Sequence, residues 1–436
     1  MSLSSALSTA VSGLTSQSVA LSDISKNISN ASTTAYKSTD TDFQTMLTGV
    51  TGAEVGGGVA ATGVTNLAQQ GQITSTTTST NLAIDEAGFF VVAPSANAPV
   101  SEYAYTRDGS FTTDKSGNLV NDQGYYLEGF PTDASGNVTV ANTSDLSNLQ
   151  PLNISKIGGT AKATSTISFT GNLPANANVN DTFATSTYFY DSLGISHTID
   201  QTWTKTGANT WQLSLADPTL TSNLGNATGD TISPSTIDVS FDDNGVLQST
   251  SVNGTPTSPL TLSIVGSGGG DLSTGAAAST MNFNLGSVGK TDGVTQYTSS
   301  SGTTGIGDGS FTQDGAVYGQ LQSVSISTKG LVTAAFDNGV TLPVYQIPLA
   351  TFPNPNGLTA VSGSIYTQNE AAGNVGLRMP GQGGAGTLEA SALEGSTTDI
   401  AGEFNKMIIA QQAYSASSQV ISTVKSMFDT LTQSVR

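Results

Sequence analysis

Apolar residues recur with a helical spacing at both ends of the chain, and these two stretches constrain the fold more than any other feature. In the segment 388–436 the large apolar residues are Ile400, Phe404, Met407, Tyr414, Ile421, Val424, Phe428, Leu431 and Val435. Near the other end the same spacing gives Leu3, Leu7, Ala10, Leu14, Gln17, Leu21, Ile24 and Ile28. Steps of three and four residues place each set on one side of an α-helix. The sequence therefore predicts two amphipathic helices, the first of which ends near residues 27–30.

Each helix must bury its apolar stripe, either against the other helix or against another chain. The remaining positions are rich in Ser and Thr, which have poor intrinsic helix propensity. An isolated pair of such helices would be only marginally stable, so we favour burial against other copies of the chain. We expect the helix pair to form a coiled coil in a polymer.

Between the helices the sequence has the features of β-structure. Charged residues make up only 10% of the chain, and Gly, Ser and Thr dominate. Two short strands are expected around a turn at 85–88, and hairpins across 105–130 with turns at 108–109, 116–118 and 122–124. Further strands are expected at 163–169, 187–190, 197–205, 210–215, 237–241 and 245–249. The predicted fold class is mainly β with α-helical termini.

The pentapeptide Asp-Gly-Ser-Phe-Thr occurs twice, at 108–112 and at 308–312, which suggests that the chain returns to its first β domain. We therefore expect nested, discontinuous domains. These are a terminal helical domain (1–30 and 388–436), connectors (31–72 and 371–387), a first β domain (73–149 and 305–370) and an inserted outer β domain (150–304). The inserted domain is predicted to be a sandwich or a flattened barrel.

The charge balance and the absence of cysteine exclude several classes of protein. Acidic residues outnumber basic ones by 32 to 13, so the net charge is −19. Nucleic acids and anionic membranes bind clusters of Lys and Arg, which excludes both as partners. A chain without Cys has neither disulfides nor thiolate metal sites. We also expect no membrane insertion and no cleavable signal peptide, because the sequence has no long apolar run and the first 20 residues contain no Lys or Arg.

Three motifs that could carry chemistry have simpler interpretations. Residues 381–386 match the dinucleotide pattern G-x-G-x-x-G, but no strand precedes them, and we interpret them as a linker. His197 is the only histidine and lies in a β run without a nucleophile motif. The Asp-containing turns at 133–137 and 242–245 do not complete a calcium-binding loop. We therefore predict no catalytic, cofactor-binding or metal-binding residue and no enzymatic activity.

Short motifs near both ends and in the β region belong together. At the N-terminal end they comprise Ser12, Gly13, Leu14, Leu21, Ile24, Asn27, Ile28, Asn30, Thr33, Tyr36 and Lys37. At the C-terminal end they comprise Leu393, Glu394, Ser396, Met407, Ile408, Gln411 and Tyr414. In the middle they comprise 82–84, 88–90, 105–111, 188–194 and 197–199. With these motifs the chain resembles bacterial flagellar axial proteins, and the hook family most of all. Ala35 stands where that family usually has Gly.

The resemblance implies a structural subunit of the flagellar hook, a curved, flexible tube that transmits motor torque from rod to filament and contains the export channel. It implies as partners other copies of the chain, the rod, hook-cap and hook–filament junction proteins, and the flagellar type III export apparatus. The expected location is the extracellular hook. The apolar stripes would be the assembly helices, and Asn27, Asn30, Tyr36, Lys37 and Gln411 would be family motif positions.

Alternatives remain open at this point. A distal-rod or filament protein would share the helical ends. A secreted β-rich adhesin or surface-layer protein would explain the composition but not the paired terminal stripes. A secreted hydrolase would need an acid–base or nucleophile set, which the sequence does not show.

Overall fold

The computed structural model describes residues 3–46, 57–223, 228–298 and 306–434. Helix α1 spans Leu3–Ser29 and helix α2 spans Ile400–Ser434. Strands make up nearly half of the described chain between them, which confirms the mainly β class with helical termini. The chain divides into a first unit (1–157, 324–334 and 342–436) and a second unit (158–323 and 335–341).

The strands are numbered in chain order. In the first unit they begin with β1 Thr39–Met46, β2 Gly58–Thr65, β3 Ile73–Ser75, β4 Leu82–Asp85, β5 Phe89–Ala93, β6 Ala104–Thr106, β7 Thr112–Thr113, β8 Leu119–Val120, β9 Tyr126–Pro131 and β10 Gln150–Pro151. The second unit contains β11 Thr160–Lys162, β12 Thr166–Pro174, β13 Thr182–Tyr190, β14 Ser196–Lys205, β15 Thr210–Leu215, β16 Thr219–Leu220, β17 Thr231–Ser233, β18 Thr236–Phe241, β19 Leu247–Val252, β20 Thr255–Pro256, β21 Thr261–Val265, β22 Ser279–Asn284, β23 Val294–Tyr297, β24 Gly307–Gln313 and β25 Ala316–Gly319.

The boundary between the units falls within three strands, β26 Leu321–Ile326, β27 Leu331–Phe336 and β28 Thr341–Gln346. The first unit then continues with β29 Leu349–Thr351, β30 Thr359–Ser362, β31 Ile365–Thr367, β32 Gly376–Arg378, β33 Thr387–Ala390 and β34 Ala392–Glu394. Short 3-10 helices occur at Val100–Glu102, Leu146–Asn148, Thr221–Asn223 and Pro355–Gly357.

Strand β5 lies at the centre of the first unit, hydrogen-bonded to β6, β9 and β29. All five of its residues are buried, as expected for a continuous apolar run. Phe90 and Val92 face one apolar cluster, and Phe89 and Val91 face another. Consecutive strand residues point to opposite faces, so this one strand organises the packing on both sides of its sheet.

The second unit has two sheets around one core. One sheet has the order β17-β21-β22-β12-β23, with β24 also paired to β12. The other has the order β13-β14-β15-β18-β19-β20, with β16 paired to β14. Phe169, Met281 and Phe283 of the first sheet share their apolar cluster with Trp203 and Trp211 of the second. This is the arrangement of a sandwich, and it contains a strand at each of the six predicted positions.

The expected connector 31–72 contains an antiparallel hairpin of β1 and β2. Serine side chains of α1 hold this hairpin, since Ser16 Oγ donates to the Val59 carbonyl at 3.0 Å. Ser12 Oγ accepts from the Val59 amide at 3.2 Å. A Cβ on Gly58 would lie only 3.0 Å from Ser12 Oγ, so the small residue lets the strand approach the helix. Part of the expected connector, 47–56, lies outside the described residues.

Helix α2 begins at Ile400, twelve residues later than the expected helical domain. The intervening residues form β33, which pairs with β4, and β34, which pairs with β3. Ser391 between them has φ 55°, which ends one strand and starts the next. Asp399 then caps the helix, and its Oδ1 accepts from the Ala401 amide at 3.1 Å.

The repeated pentapeptide is not a structural repeat. In the copy 108–112, Asp108 is buried and its Oδ1 accepts from the Ser110 amide at 3.0 Å. The expected exposed hairpin turn is therefore a buried loop. The copy 308–312 lies in β24, which pairs with β12. Because β24 pairs with β12, residues 306–323 belong to the second unit and not to the first. The second unit therefore extends beyond the expected bounds 150–304.

Candidate assembly surface of the terminal helices

Helices α1 and α2 pack against each other within one chain, and several small side chains are buried on them. Ala10 and Ala20 are buried on α1, and Ala410 is buried on α2. A Cβ on Gly13 would lie 3.5 Å from Ser417 Oγ, so the helix backbones approach closely there. The two helices thus contact each other within the single chain, whereas the sequence favoured burial against other copies of the chain.

The expected stripe of α1 is largely covered. Ile24 is buried, and four further residues are half-buried, namely Leu7, Leu14, Leu21 and Ile28. The side chain of Leu3 lies outside the described part of the chain.

The expected stripe of α2 divides between a covered and an exposed side. Val424 is buried, and Met407 and Ile421 are half-buried. Four residues remain exposed, with relative accessibilities of 48% for Ile400, 50% for Phe404, 39% for Tyr414 and 39% for Phe428. The Leu431 side chain and Val435 lie outside the described residues.

Four further apolar residues of α2 are exposed, and they lie outside the stripe predicted from the sequence. Their relative accessibilities are 53% for Ile408, 66% for Ile409, 46% for Val420 and 52% for Met427. The spacing of four residues from Phe404 to Ile408 indicates that these two side chains lie on the same side of the helix. So many exposed apolar residues on one helix mark a surface that another molecule covers.

Asn27 connects α1, β1 and α2 through four hydrogen bonds. Its Nδ2 donates to the Thr39 carbonyl at 2.9 Å and to Glu403 Oε2 at 3.2 Å. Its Oδ1 accepts from the Thr39 amide at 2.9 Å and from the Tyr36 hydroxyl at 3.1 Å. Burial, together with the charges of Asp23 and Glu403, raises the pKa of Tyr36 and keeps it a hydrogen-bond donor. The amide therefore fixes the chain as it leaves α1.

A buried ion cluster lies where the helices join the β-structure. Glu394 Oε1 is 2.5 Å from Lys37 Nζ, and Glu394 Oε2 is 3.4 Å from Arg107 Nη1. The three side chains are at most 2% exposed. Burial lowers the pKa of Lys37, and the charge of Glu394 opposes that effect. Glu394 also accepts from the Gly71 amide at 2.7 Å, so one carboxylate joins four segments.

The other motif positions differ in their surroundings. Asn30 Nδ2 donates to the Lys26 carbonyl at 2.8 Å and so closes the end of α1. Ala35 is buried with φ 54°, a conformation that explains the usual Gly at this position. Gln411 is exposed on α2, away from the junction. The structure thus brings Asn27, Tyr36 and Lys37 to the junction and leaves Gln411 on the surface.

A second ion cluster joins α2 to the hairpin. Lys406 Nζ lies 2.6 Å from Asp40 Oδ1 and 2.9 Å from Glu403 Oε1. The hydrogen bond to Asp40 is the main reason why the pKa of Lys406 is raised. Neither this cluster nor the role of Glu394 was predicted, because a charged residue in a sequence does not reveal its distant partner.

The motifs with possible chemistry have structural roles. His197 is fully buried on β14, with Nε2 3.1 Å from Asp191 Oδ2 and its ring stacked on Phe189. Segment 381–386 is a turn between β32 and β33, closed by a 2.8 Å bond from the Gly381 amide to the Gly386 carbonyl, so it leads into a strand. Within the described ranges no three His, Cys, Asp or Glu side chains could hold a metal ion. No described helix is long and apolar enough to span a membrane.

Four family models match consecutive parts of the chain. Residues 7–37 match the flagella basal body rod protein model, and 83–163 match the D1 domain of the flagellar hook protein FlgE/F/G. Residues 161–316 match the FlaE D2 domain of flagellar basal body proteins. Residues 389–434 match the C-terminal model of the flagellar basal body rod FlgEFG proteins.

Similar proteins match over nearly the whole chain. The flagellar hook protein FlgE of Brucella suis is 34% identical over 438 residues, which cover 99% of each chain. FlgE of Rhizobium meliloti is 33% identical with the same coverage. A crystal structure of Helicobacter pylori hook protein FlgE2 has 14% identity and a TM-score of 0.47, and covers 74% of this chain and 100% of that chain. On the identity and coverage of its relatives, the chain belongs to the flagellar hook protein family, as a structural subunit and not an enzyme.

Proposed function

We propose that α1, α2 and the β1–β2 hairpin form the part of the subunit that holds the hook together, and that neighbouring copies cover the exposed apolar side of α2. A subunit of this family works in the flagellum and polymerises with copies of itself. The observation that carries the proposal is the half-exposure of Ile400, Phe404 and Ile408 on a helix whose other side already packs on α1. Leaving such residues in water is unfavourable, and burial in a polymer removes that cost.

The expected domains receive distinct roles in this proposal. Within the expected terminal helical domain, helices α1 and α2 form the inner tube around an export channel. Its Ser- and Thr-rich positions offer passing chains no apolar surface. The two β regions, the strands of the first unit around β5 and the second unit at 158–323 and 335–341, form the outer parts of a curved tube. Their surfaces are poor in charge, so neighbouring copies can exchange many weak polar contacts while the hook bends and transmits torque.

The finer partners follow from the same role. A tube between rod and filament contacts the rod at one end and the hook–filament junction proteins at the other, and it grows beneath a hook cap. The subunit is exported through the flagellar type III apparatus to a position outside the cell. Support for these partners comes from the family to which the chain belongs.

Immunoelectron microscopy of isolated flagella tests the division of roles. One antibody is raised against residues 158–298, and a second against residues 400–434. We expect the first to label a short curved segment along its whole length, and the second to label only its broken ends. Labelling by the second antibody along intact hooks would contradict an inner position of α2. Labelling of a straight axial segment would indicate a rod protein.

A further inference from the structure

A groove with an apolar floor lies between α1, β1 and α2. Its volume is about 260 Å³. The floor is formed by four residues, Ala20, Ile24, Ala410 and Ala413, and the rims by Phe43 and Ile409. Both rim residues are exposed, Phe43 at 44% and Ile409 at 66%. The groove therefore offers an apolar site that the described part of the chain leaves open.

A row of apolar residues lies on another side of α2. Ile400, Phe404 and Ile408 follow one another at steps of four, and each is about half exposed. From Phe404 to Ile409 the helix advances five residues, which at about 100° per residue places them about 140° apart around its axis. The row and the groove are thus two separate apolar surfaces of one helix.

Neither surface would bring an unpaired charge into a contact. The charged residues that line the groove are Asp40, Glu403 and Lys406, and Lys406 is paired with both carboxylates. The residues next to the row on its exposed side, Ala401 and Asn405, are uncharged. Burying these surfaces together therefore avoids the large penalty of desolvating an unpaired charge.

We propose that the row Ile400–Phe404–Ile408 of one copy binds in the groove of the next copy. This rests on the proposed function, in which copies cover the exposed side of α2. Two different surfaces pair, so the contact is heterologous, and a bound pair still presents a free row on one copy and a free groove on the other. Repetition of such a contact builds an open helical array, whereas a self-complementary contact would stop at a dimer.

Cross-linking tests the contact directly, because the natural chain contains no cysteine. Phe404→Cys and Ile409→Cys are introduced separately and together, at positions exposed in the single chain. A disulfide forms only where two Cα atoms come within about 7 Å. Phe404→Cys combined with Thr423→Cys is the matched control, since Thr423 is exposed on α2 but does not line the groove.

Isolated hooks from each variant are oxidised and separated on denaturing gels. We expect a ladder of covalent multimers from the Phe404→Cys/Ile409→Cys chain, and none from either single variant or from the control. Hooks assembled from a mixture of the two single variants should give dimers only, because each copy then has one reactive side. Dimers from the mixture, without dimers from either single variant, distinguish a heterologous contact from cross-links that form by random collision.

Three results would overturn the contact. Normal hooks from the double variant without a ladder would show that the row and groove do not meet, and would leave the proposed function intact. Dimers from Phe404→Cys alone would show that the row meets itself. Absence of the chain from isolated hooks would instead refute the proposed function, and the contact with it.

Discussion

Replacing Glu394 by Gln should destabilise the first unit by several kcal/mol. Among the described residues, this carboxylate is the only acidic partner of two buried cations, with Oε1 2.5 Å from Lys37 Nζ and Oε2 3.4 Å from Arg107 Nη1. A glutamine keeps the size of the side chain and removes its charge. Removing one partner of a buried ion pair typically costs about 3–5 kcal/mol, because the remaining charge has lost its compensation.

The expected loss depends on pH through Lys37. Burial already lowers the pKa of Lys37, and Glu394 is the group that raises it again. In the Glu394→Gln variant the folded-state pKa of Lys37 should therefore fall further below its unfolded value. A lysine with a lowered folded-state pKa opposes folding once the pH drops below its unfolded pKa, so the deficit of the variant should shrink as the pH rises towards that value.

Urea unfolding followed by two probes gives the measurement. Circular dichroism reports on both units, whereas Trp203 and Trp211, the only two tryptophans, both lie in the second unit. For a slope of about 2 kcal/mol per M, a loss of about 4 kcal/mol moves the first unit's midpoint down by about 2 M. The tryptophan transition should stay in place.

The matched control is Glu389→Gln, the same substitution at an exposed position of β33. Surface substitutions of this kind usually change stability by less than about 0.5 kcal/mol. If both variants unfold at the same urea concentration, Glu394 does not compensate the buried cations and the reasoning is refuted.

Three further predictions concern single sites. Asn27→Ala removes four hydrogen bonds and should lower the unfolding free energy of the first unit by about 2–4 kcal/mol. Hydrogen exchange of the Thr39 amide should become faster, and unchanged exchange would contradict the role of Asn27. Burial raises the pKa of Glu128 to about 8. Between pH 4.5 and 8 only the unfolded state ionises, so the unfolding free energy should fall by up to about 1.4 kcal/mol per pH unit as the pH rises. A Glu128→Gln variant should lose this pH dependence. Gly109→Ala should destabilise strongly, because its Cβ would lie 1.8 Å from a backbone oxygen, whereas Gly309→Ala meets only side chains at 3.1 Å or more; equal thermal midpoints would contradict this contrast.

Features decided within a few residues were predictable from the sequence. The turns at 116–118 and 122–124 occur as expected, since Gly117 and Gly124 have φ of 85° and 84° and few other residues adopt such values. Strand β14 alternates buried and partly exposed residues along most of its length, as its sequence pattern indicates. Local chemistry and the period of the apolar residues carry this information without reference to the rest of the chain.

Features decided by distant partners were not predictable. Lys37 and Glu394 are 357 residues apart, and nothing in either segment names the other. The two copies of Asp-Gly-Ser-Phe-Thr have one sequence and two structures, because β24 pairs with β12 while the first copy packs under Leu82. The segment 388–394 has strong helix formers such as Leu and Glu but is held as strands by β4 and β3. Tertiary pairing overrides propensity in all three cases.

The imperfect apolar period of α2 has a structural explanation. Positions 403, 407, 410, 417, 421 and 424 are spaced by three, four or seven residues and lie on the covered side. Ile400 lies three residues before position 403, and Phe404 lies three residues before position 407, so both lie to one side of the covered positions. The stripe seen in the sequence therefore combines a covered and an exposed surface. The side facing α1 uses small residues such as Ala410, which an analysis weighted towards large residues overlooks. A helix with one apolar side is satisfied by a single partner within its own chain. Because α2 keeps further apolar residues exposed after pairing with α1, we expect other copies to cover them in the hook.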